Sequence, residues 1–261
     1  MAYHGKNGHA EIGDNDLVHL QNWSASASCE SEESTSMGSS WQTHLAGFRD
    51  FTASAEGLSK KGLNTVAILG SDAELDLVFD SSNGPHLTGN AICTSITENC
   101  PYDGNATISY SFECNDTDGL EFSSTGGSAA PAVDDPFKGK SCKVSKVAED
   151  VSGCRGWSIT LDCSTEQSTA AGQDAHTREA GFKGATATVT LLASNSAEFV
   201  EGTSYDLRLH RTGTASDGIY ALATPAEGAL CTGADPGLNS NGVGVVTYSF
   251  VYSGAVELKT S

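Results

Sequence analysis

The sequence predicts a mainly β protein made of two tandem β-sandwich or barrel-like domains, each with one flanking helix. Three observations lead there. Polar and apolar residues alternate over short runs, the chain repeats itself after 134 residues, and a small, polar, proline-punctuated stretch separates the two copies. Strict alternation over five to eight residues marks half-buried antiparallel strands.

The alternation is clearest in Ser24-Ala-Ser-Ala-Ser-Cys29, Thr52-Ala-Ser-Ala-Glu56 and Thr107-Ile-Ser-Tyr-Ser-Phe-Glu-Cys114. The second copy gives Ser158-Ile-Thr-Leu-Asp-Cys163, Thr186-Ala-Thr-Val-Thr-Leu191 and Val246-Thr-Tyr-Ser-Phe250. Trp23 shares the parity of Ala25, Ala27 and Cys29, so it belongs on their core-facing side, as does Trp157 in the second copy. Phe112 and Phe250 are core positions by the same rule.

A shift of 134 residues aligns 5–56 with 139–190 without a gap, and sixteen of those 52 positions are identical. Gly5-Lys6 meets Gly139-Lys140, Trp23-Ser24 meets Trp157-Ser158, Cys29 meets Cys163, and Ala46-Gly-Phe48 meets Ala180-Gly-Phe182. After changes in loop length, Asp76-Leu77 pairs with Asp206-Leu207 and Tyr110-Ser-Phe112 with Tyr248-Ser-Phe250. This degree of identity reads as a duplication, with domains at 1–122 and 137–261 and a linker at 123–136.

A helix is predicted around Leu63 to Leu69, with Ser59 as N-cap and Gly70 as stop, and its counterpart runs from Ser196 to Val200, closed by Gly202. The eight cysteines include no C-x-x-C pair, so zinc spacing is absent and buried free thiols are the expectation. Cys142 and Cys154 are placed to face each other across a hairpin, which makes them the candidate disulfide.

Composition removes several functions. The 33 acids against 14 bases, net −19, disfavour tight nucleic-acid binding, because phosphates are repelled. No run of 18 apolar residues exists, so no spanning helix and no membrane partner are expected. Met1 to Ala10 lacks the charged and apolar regions of a secretory signal, so the sequons at Asn22, Asn105 and Asn115 carry no message. The seven histidines lack H-x-x-x-H spacing, and neither G-x-S-x-G nor a Walker motif occurs, so no catalytic residue, metal or cofactor is expected. Asp14-Asn-Asp16 and Asp116-Thr-Asp-Gly119 lack the twelfth-position Glu of an EF-hand and read as turns. Asp72, Glu74 and Asp76 share one strand and define no glycosidase geometry.

The ordered set Trp23-Ser-Ala-Ser, Thr35-Ser-Met-Gly-Ser-Ser-Trp41 and Gly47-Phe-Arg-Asp-Phe-Thr-Ala-Ser-Ala-Glu56 resembles the tail tube proteins of long-tailed, non-contractile bacteriophages. Leu75-Asp-Leu-Val-Phe79, Gly89 to Ile96 and Ile108 to Phe112 continue that family's order, so the resemblance covers nearly all of 5–122. It passes to the second copy through the repeat, where Ala171 stands in place of Met37 and Ala175 in place of Trp41. The resemblance implies two tail-tube-like domains that build stacked rings around a lumen, in a virion tail, from protein made in the host cytoplasm. Partners implied are other copies of the chain, the tape measure, tail terminator and distal tail proteins, and double-stranded DNA in transit. Since the family's rings are sixfold, a duplicated chain needs only three subunits per ring.

A DNA conduit calls for polar, non-basic walls. The candidates for the lumen are Ser24, Ser26, Ser28, Thr52, Ser54, Glu56, Thr107, Ser109, Ser111, Glu113, Ser158, Thr160, Asp162, Thr186, Thr188 and Thr190. Met37 and Trp41, two large apolar groups in a polar loop, are candidates for contacts between rings. Residues 1–122 hold 18 acids and 4 bases, net −14, while 123–261 hold 15 and 10, net −5. Ordinary surface solvation accounts for most of these charges, and contacts between copies are the second reading, in which bases such as Arg155, Arg178, Arg208 and Arg211 meet acids of the first copy. Two other readings stand beside this one: a two-domain carbohydrate-binding or adhesive surface module, and the inner tube of a contractile injection device.

Overall fold

The structure is a computed structural model, describing residues 8–259 apart from 14, 18–19, 39, 62–63, 81–83, 129–135, 147–148, 194–197, 225–226 and 239–242. Gly5-Lys6, Asp14, Leu63, Ser196 and half of the predicted linker, residues 129–135, lie outside the described residues. The first half contributes β1 (His9–Ile12), β2 (Asn15–Leu17), β3 (Leu20–Glu33), β4 (His44–Leu58), α1 (Thr65–Ile68), β5 (Asp72–Val78), β6 (His86–Pro101), β7 (Thr107–Cys114) and β8 (Glu121–Ser123). The second contributes β9 (Lys143–Lys146), β10 (Glu149–Asp150), β11 (Cys154–Gln167), β12 (Arg178–Leu192), β13 (Ser204–Tyr205), β14 (Leu207–His210), β15 (Ile219–Leu222), β16 (Ala229–Leu238), β17 (Gly244–Tyr252) and β18 (Val256–Lys259).

The protein is mainly β, as its alternation predicts, and every strand pair is antiparallel. Eight strands run side by side in the order β3-β4-β7-β6-β11-β12-β17-β16, so the two halves share one sheet through β6 and β11. The same hydrogen-bonded sheet continues from β6 through β5, β1 and β2 and to β8, and from β16 to β13, while β10-β9-β14-β15-β18 form a separate five-stranded sheet. Buried side chains of both sheets join in one core.

The repeat extends to hydrogen-bond register. In β3–β4, Trp23 lies opposite Ala55 and Ser26 opposite Thr52, with irregularities at Leu20/Asn22 and Cys29/Ser31. In β11–β12, Trp157 lies opposite Val189 and Thr160 opposite Thr186, with irregularities at Cys154/Gly156 and Cys163/Thr165. Each of these positions is the former plus 134. The β6–β7 bulge at Cys93/Ser95 likewise recurs in β16–β17 at Cys231/Gly233, and in both the cysteine Sγ donates to the carbonyl two residues on. The loops after β3 and β11 match too: Ser34 N donates to Thr43 O, Ser168 N donates to Thr177 O, and Gly38 and Gly172 both take positive φ.

Structure corrects the sequence alignment in one stretch. Leu75 and Leu77 face Ile12 and Ala10, whereas Leu207 and Leu209 face Lys146 and Val144. Glu74-Leu75, not Asp76-Leu77, is therefore the counterpart of Asp206-Leu207. A slip of two residues keeps every side chain on its own face, so alternation alone cannot detect it.

The halves differ where β6 continues unbroken for 16 residues while its counterpart is split into β15 and β16. They also differ at the predicted helices. α1 is only four residues long, and its N-cap is Asn64, whose side chain accepts from Ala67 N. Ser59, predicted as the cap, is instead buried and hydrogen-bonded elsewhere. Gly70 ends the helix at φ 66°, a conformation that suits glycine. Of the second predicted helix, Glu198 and Phe199 form a bend and Val200 is not helical. Where the chain enters the second half, a Cβ on Gly139 would lie 1.7 Å from the Pro101 carbonyl oxygen, so only glycine fits against the end of β6.

Candidate functional site

Two regions hold the residues singled out above: the open face of the eight-stranded sheet, and the junction between halves. Pairing registers put all the predicted lumen positions on one face, because Ser54 meets Ser24 and Ser111, and Thr160 meets Thr97 and Thr186. Hydroxyls meet across neighbouring strands at Ser24–Ser54 (2.9 Å), Thr97–Thr160 (3.2 Å), Ser158–Thr188 (2.7 Å) and Thr190–Thr247 (3.1 Å). Ser95 Oγ donates to Asp162 at 3.0 Å. Side-chain pairs of this kind stabilise a sheet while leaving its surface polar. Arg178 reaches the rim of the face, where Asp50 and Glu113 take up its charge.

The opposite face is the core. Ala53, Ala55, Tyr110, Phe112, Trp157, Ile159, Leu161, Ala187, Val189 and Phe250 are all buried. Each large apolar side chain withdrawn from water contributes about 1.5–3 kcal/mol. Trp157, Phe112 and Phe250 occupy core positions, but Trp23 is only half-buried, against the Phe79 ring at 5.0 Å.

The junction is built on ion pairs. Glu98 on β6 points into the core with no exposure, as does Arg211 of the second half. Arg211 Nε donates to Glu98 Oε1 at 3.0 Å and Nη2 donates to Oε2 at 2.8 Å. Ser59 Oγ and Tyr220 OH also donate to this carboxylate, and Arg211 Nη2 donates to Tyr220 OH and Thr65 Oγ1. Burial works against the Arg211 charge, yet Glu98 and Tyr220 beside it hold its pKa above the ordinary value. Burial also pushes Tyr220 up, so its hydroxyl stays a donor.

At the other end of the junction, Arg178 clamps Asp50 through two bonds of 3.0 and 2.8 Å and donates to the Cys114 carbonyl. Its hydrogen bonds to Asp50 raise its pKa. Arg49 N donates to Asp174 O and His176 N donates to Arg49 O, which docks the loop after β11 onto β4 and buries Ala175 completely. Arg155 lies over the Tyr102 ring at 4.4 Å. Of the four bases named from sequence, only Arg208 stays within its own half, on Asp206.

Sequence reasoning passed over Glu98, although a signal existed: it shares the core parity of Ile96 and Cys100. An acid at such a position demands a buried cation.

Met37 and Trp41 are exposed, at 104% and 84%. All eight cysteines are thiols, and the candidate pair is unbridged: Cys142 Sγ donates to Arg211 O and Cys154 Sγ to Gly156 O. Cys29, expected to be buried, is exposed, because no described strand covers its end of β3. Asp116 accepts from the backbone N–H of Asn90 and of Asp118, which is turn chemistry. Among the described residues, no three His, Cys, Asp or Glu side chains are placed to hold a metal ion.

No protein-family model matches the chain, and no curated protein matches it. A chain in a structure of the virion of a native gene transfer agent particle is similar, with 20% identity and a TM-score of 0.39, over 47% of this chain and 100% of that one. Another, in the tail of an empty gene transfer agent particle with C6 symmetry, is similar with 19% identity and a TM-score of 0.37, over the same 47% and 100%.

Proposed function

We propose that the chain is a structural subunit of a phage-like tail tube, without catalytic activity, and that three copies close into a ring of pseudo-sixfold symmetry. The observation that carries this reading is the sheet itself: eight strands in two register-matched sets, one face packed into a core and the other a field of hydroxyls and acids. Closing such a sheet on itself satisfies its open edges. Stacked rings then form a tube whose wall is Ser24, Ser26, Thr52, Ser111, Glu113, Asp162, Thr188 and their neighbours. Hydroxyls and carboxylates release phosphates that lysine and arginine would hold, so DNA passes without sticking.

The protein on this reading is made in the host cytoplasm and resides in the virion tail. Met37, at the tip of an exposed loop, is the candidate for touching the next ring. The tube's ends would meet the tape measure, terminator and distal tail proteins implied by the sequence resemblance.

Electron microscopy of the purified protein tests this. Rings or tubes of uniform bore with three chains per ring are expected. Six chains per ring, or a monomer at high concentration, overturns the reading.

A further inference from the structure

The internal junction provides a template for the contact between chains. Its core side is made by Trp157 opposite Cys100, Ile159 opposite Glu98 and Leu161 opposite Ile96, all buried. The repeat places Trp23, Ala25 and Ala27 of β3 where Trp157, Ile159 and Leu161 stand, and Leu238, Pro236 and Ala234 of β16 where Cys100, Glu98 and Ile96 stand. These two rows lie on the open edges of the sheet. Leu238 is 77% exposed, Pro236 and Ala27 are exposed, and Trp23, Ala25 and Ala234 are half-buried.

From this we infer that β16 of one copy pairs antiparallel with β3 of the next, with Leu238 opposite Trp23, Pro236 opposite Ala25, Asp235 opposite Ser26, Ala234 opposite Ala27 and Gly233 opposite Ser28. The inference rests on the tube reading only for closure of the ring. The seam itself follows from continuity with the β6–β11 junction.

The chemistry of the two seams differs. Position 79, Phe, replaces Arg211, and position 236, Pro, replaces Glu98, so an apolar contact stands where the internal junction has a buried ion pair. Trp41 takes the place of the buried Ala175, and Phe182, 93% exposed, takes that of Phe48, whose ring lies 5.2 Å from His176. Trp41 therefore belongs to the lateral seam and not to the contact between rings. Exposed apolar groups gathered along matching edges are what a self-association surface requires.

Pro236 limits the ladder. Tyr102 N donates to Arg155 O, so by alternation the backbone N–H of residue 98 also points across the internal junction. At 236 that donor is missing, and the seam has one hydrogen bond fewer at its centre.

Cysteine pairs in a Cys29→Ser background test the register. Ser26→Cys with Asp235→Cys, both exposed and on the polar face, is expected to shift the chain on a non-reducing gel from monomer to linked dimer and trimer after mild oxidation. Ser24→Cys or Ser28→Cys with Asp235→Cys, and each single variant, should stay monomeric. Rings seen by microscopy without the 26–235 link overturn the register and leave the tube reading intact. Linked open chains without rings support the register and overturn ring closure. Neither link nor ring overturns both.

Discussion

Strands β3 and β11 occupy the same place in the two halves, pair with their next strand in the same register, and begin their alternation with the same Trp-Ser, yet their burial is opposite. Trp157, Ile159, Leu161 and Cys163 are buried; Trp23 and Ala25 are half-buried, and Ala27 and Cys29 are exposed. The difference is that β11 has β6 on the edge away from β12, whereas β3 has no described strand on the edge away from β4. Burial here is a property of position in the sheet, not of the local sequence.

Removing what makes the internal junction unlike the open edge should have the largest effect. Arg211→Met leaves Glu98 buried without a cation, and should cost about 3–5 kcal/mol in urea unfolding. Glu98→Gln with Arg211→Met should recover most of that loss, and failure to recover would mean the pair is not the source. Next come the two tryptophans. Trp157→Ala should cost about 3–5 kcal/mol, and Trp23→Ala in the unassembled chain clearly less, because that side chain is already partly in water. Equal losses would break the comparison between strands.

Leu238→Asp should change monomer stability by no more than about 0.5 kcal/mol. Sedimentation should nevertheless find its association lost, whereas a variant that still assembles would sink the lateral seam. The smallest effect is a pH slope confined to the second half, where His210 occupies the place that Val78 holds in the first. Burial lowers the pKa of His210, and Ser145 Oγ lies 2.9 Å from its Nε2. Its folded form therefore binds a proton less readily than its unfolded form, so its contribution is complete at neutral pH and is lost as pH falls below about 6.5. His210→Asn should flatten that part of the stability profile.

Much of this architecture is legible in the sequence because period-two alternation and a gapless repeat are local signals. Ser158-Ile-Thr-Leu-Asp-Cys163 announces both its strand and its buried face. The junction is less legible. Glu98 and Arg211 lie 113 residues apart, and they meet because β6 pairs with β11, whose Trp157 donates to His210 O next to Arg211. Ser59 was a plausible helix cap by residue type, but a buried carboxylate 2.7 Å away claims its hydroxyl. Trp41 looks like an anchor from composition alone. Its place in the proposed lateral seam becomes readable only when Ala175 is found packed at the same position in the other half.

The Glu98–Arg211 pair also has a bearing on order. Were β6 of one chain to meet β3 of another, Glu98 would face Phe79 and be sealed from water with no cation, at a cost of several kcal/mol. Were β16 to meet β11, Arg211 would be stranded in the same way against Pro236. In the ring proposed above, a single ion pair would thus disfavour first-half-to-first-half and second-half-to-second-half neighbours, and strict alternation is the arrangement in which no charge is abandoned.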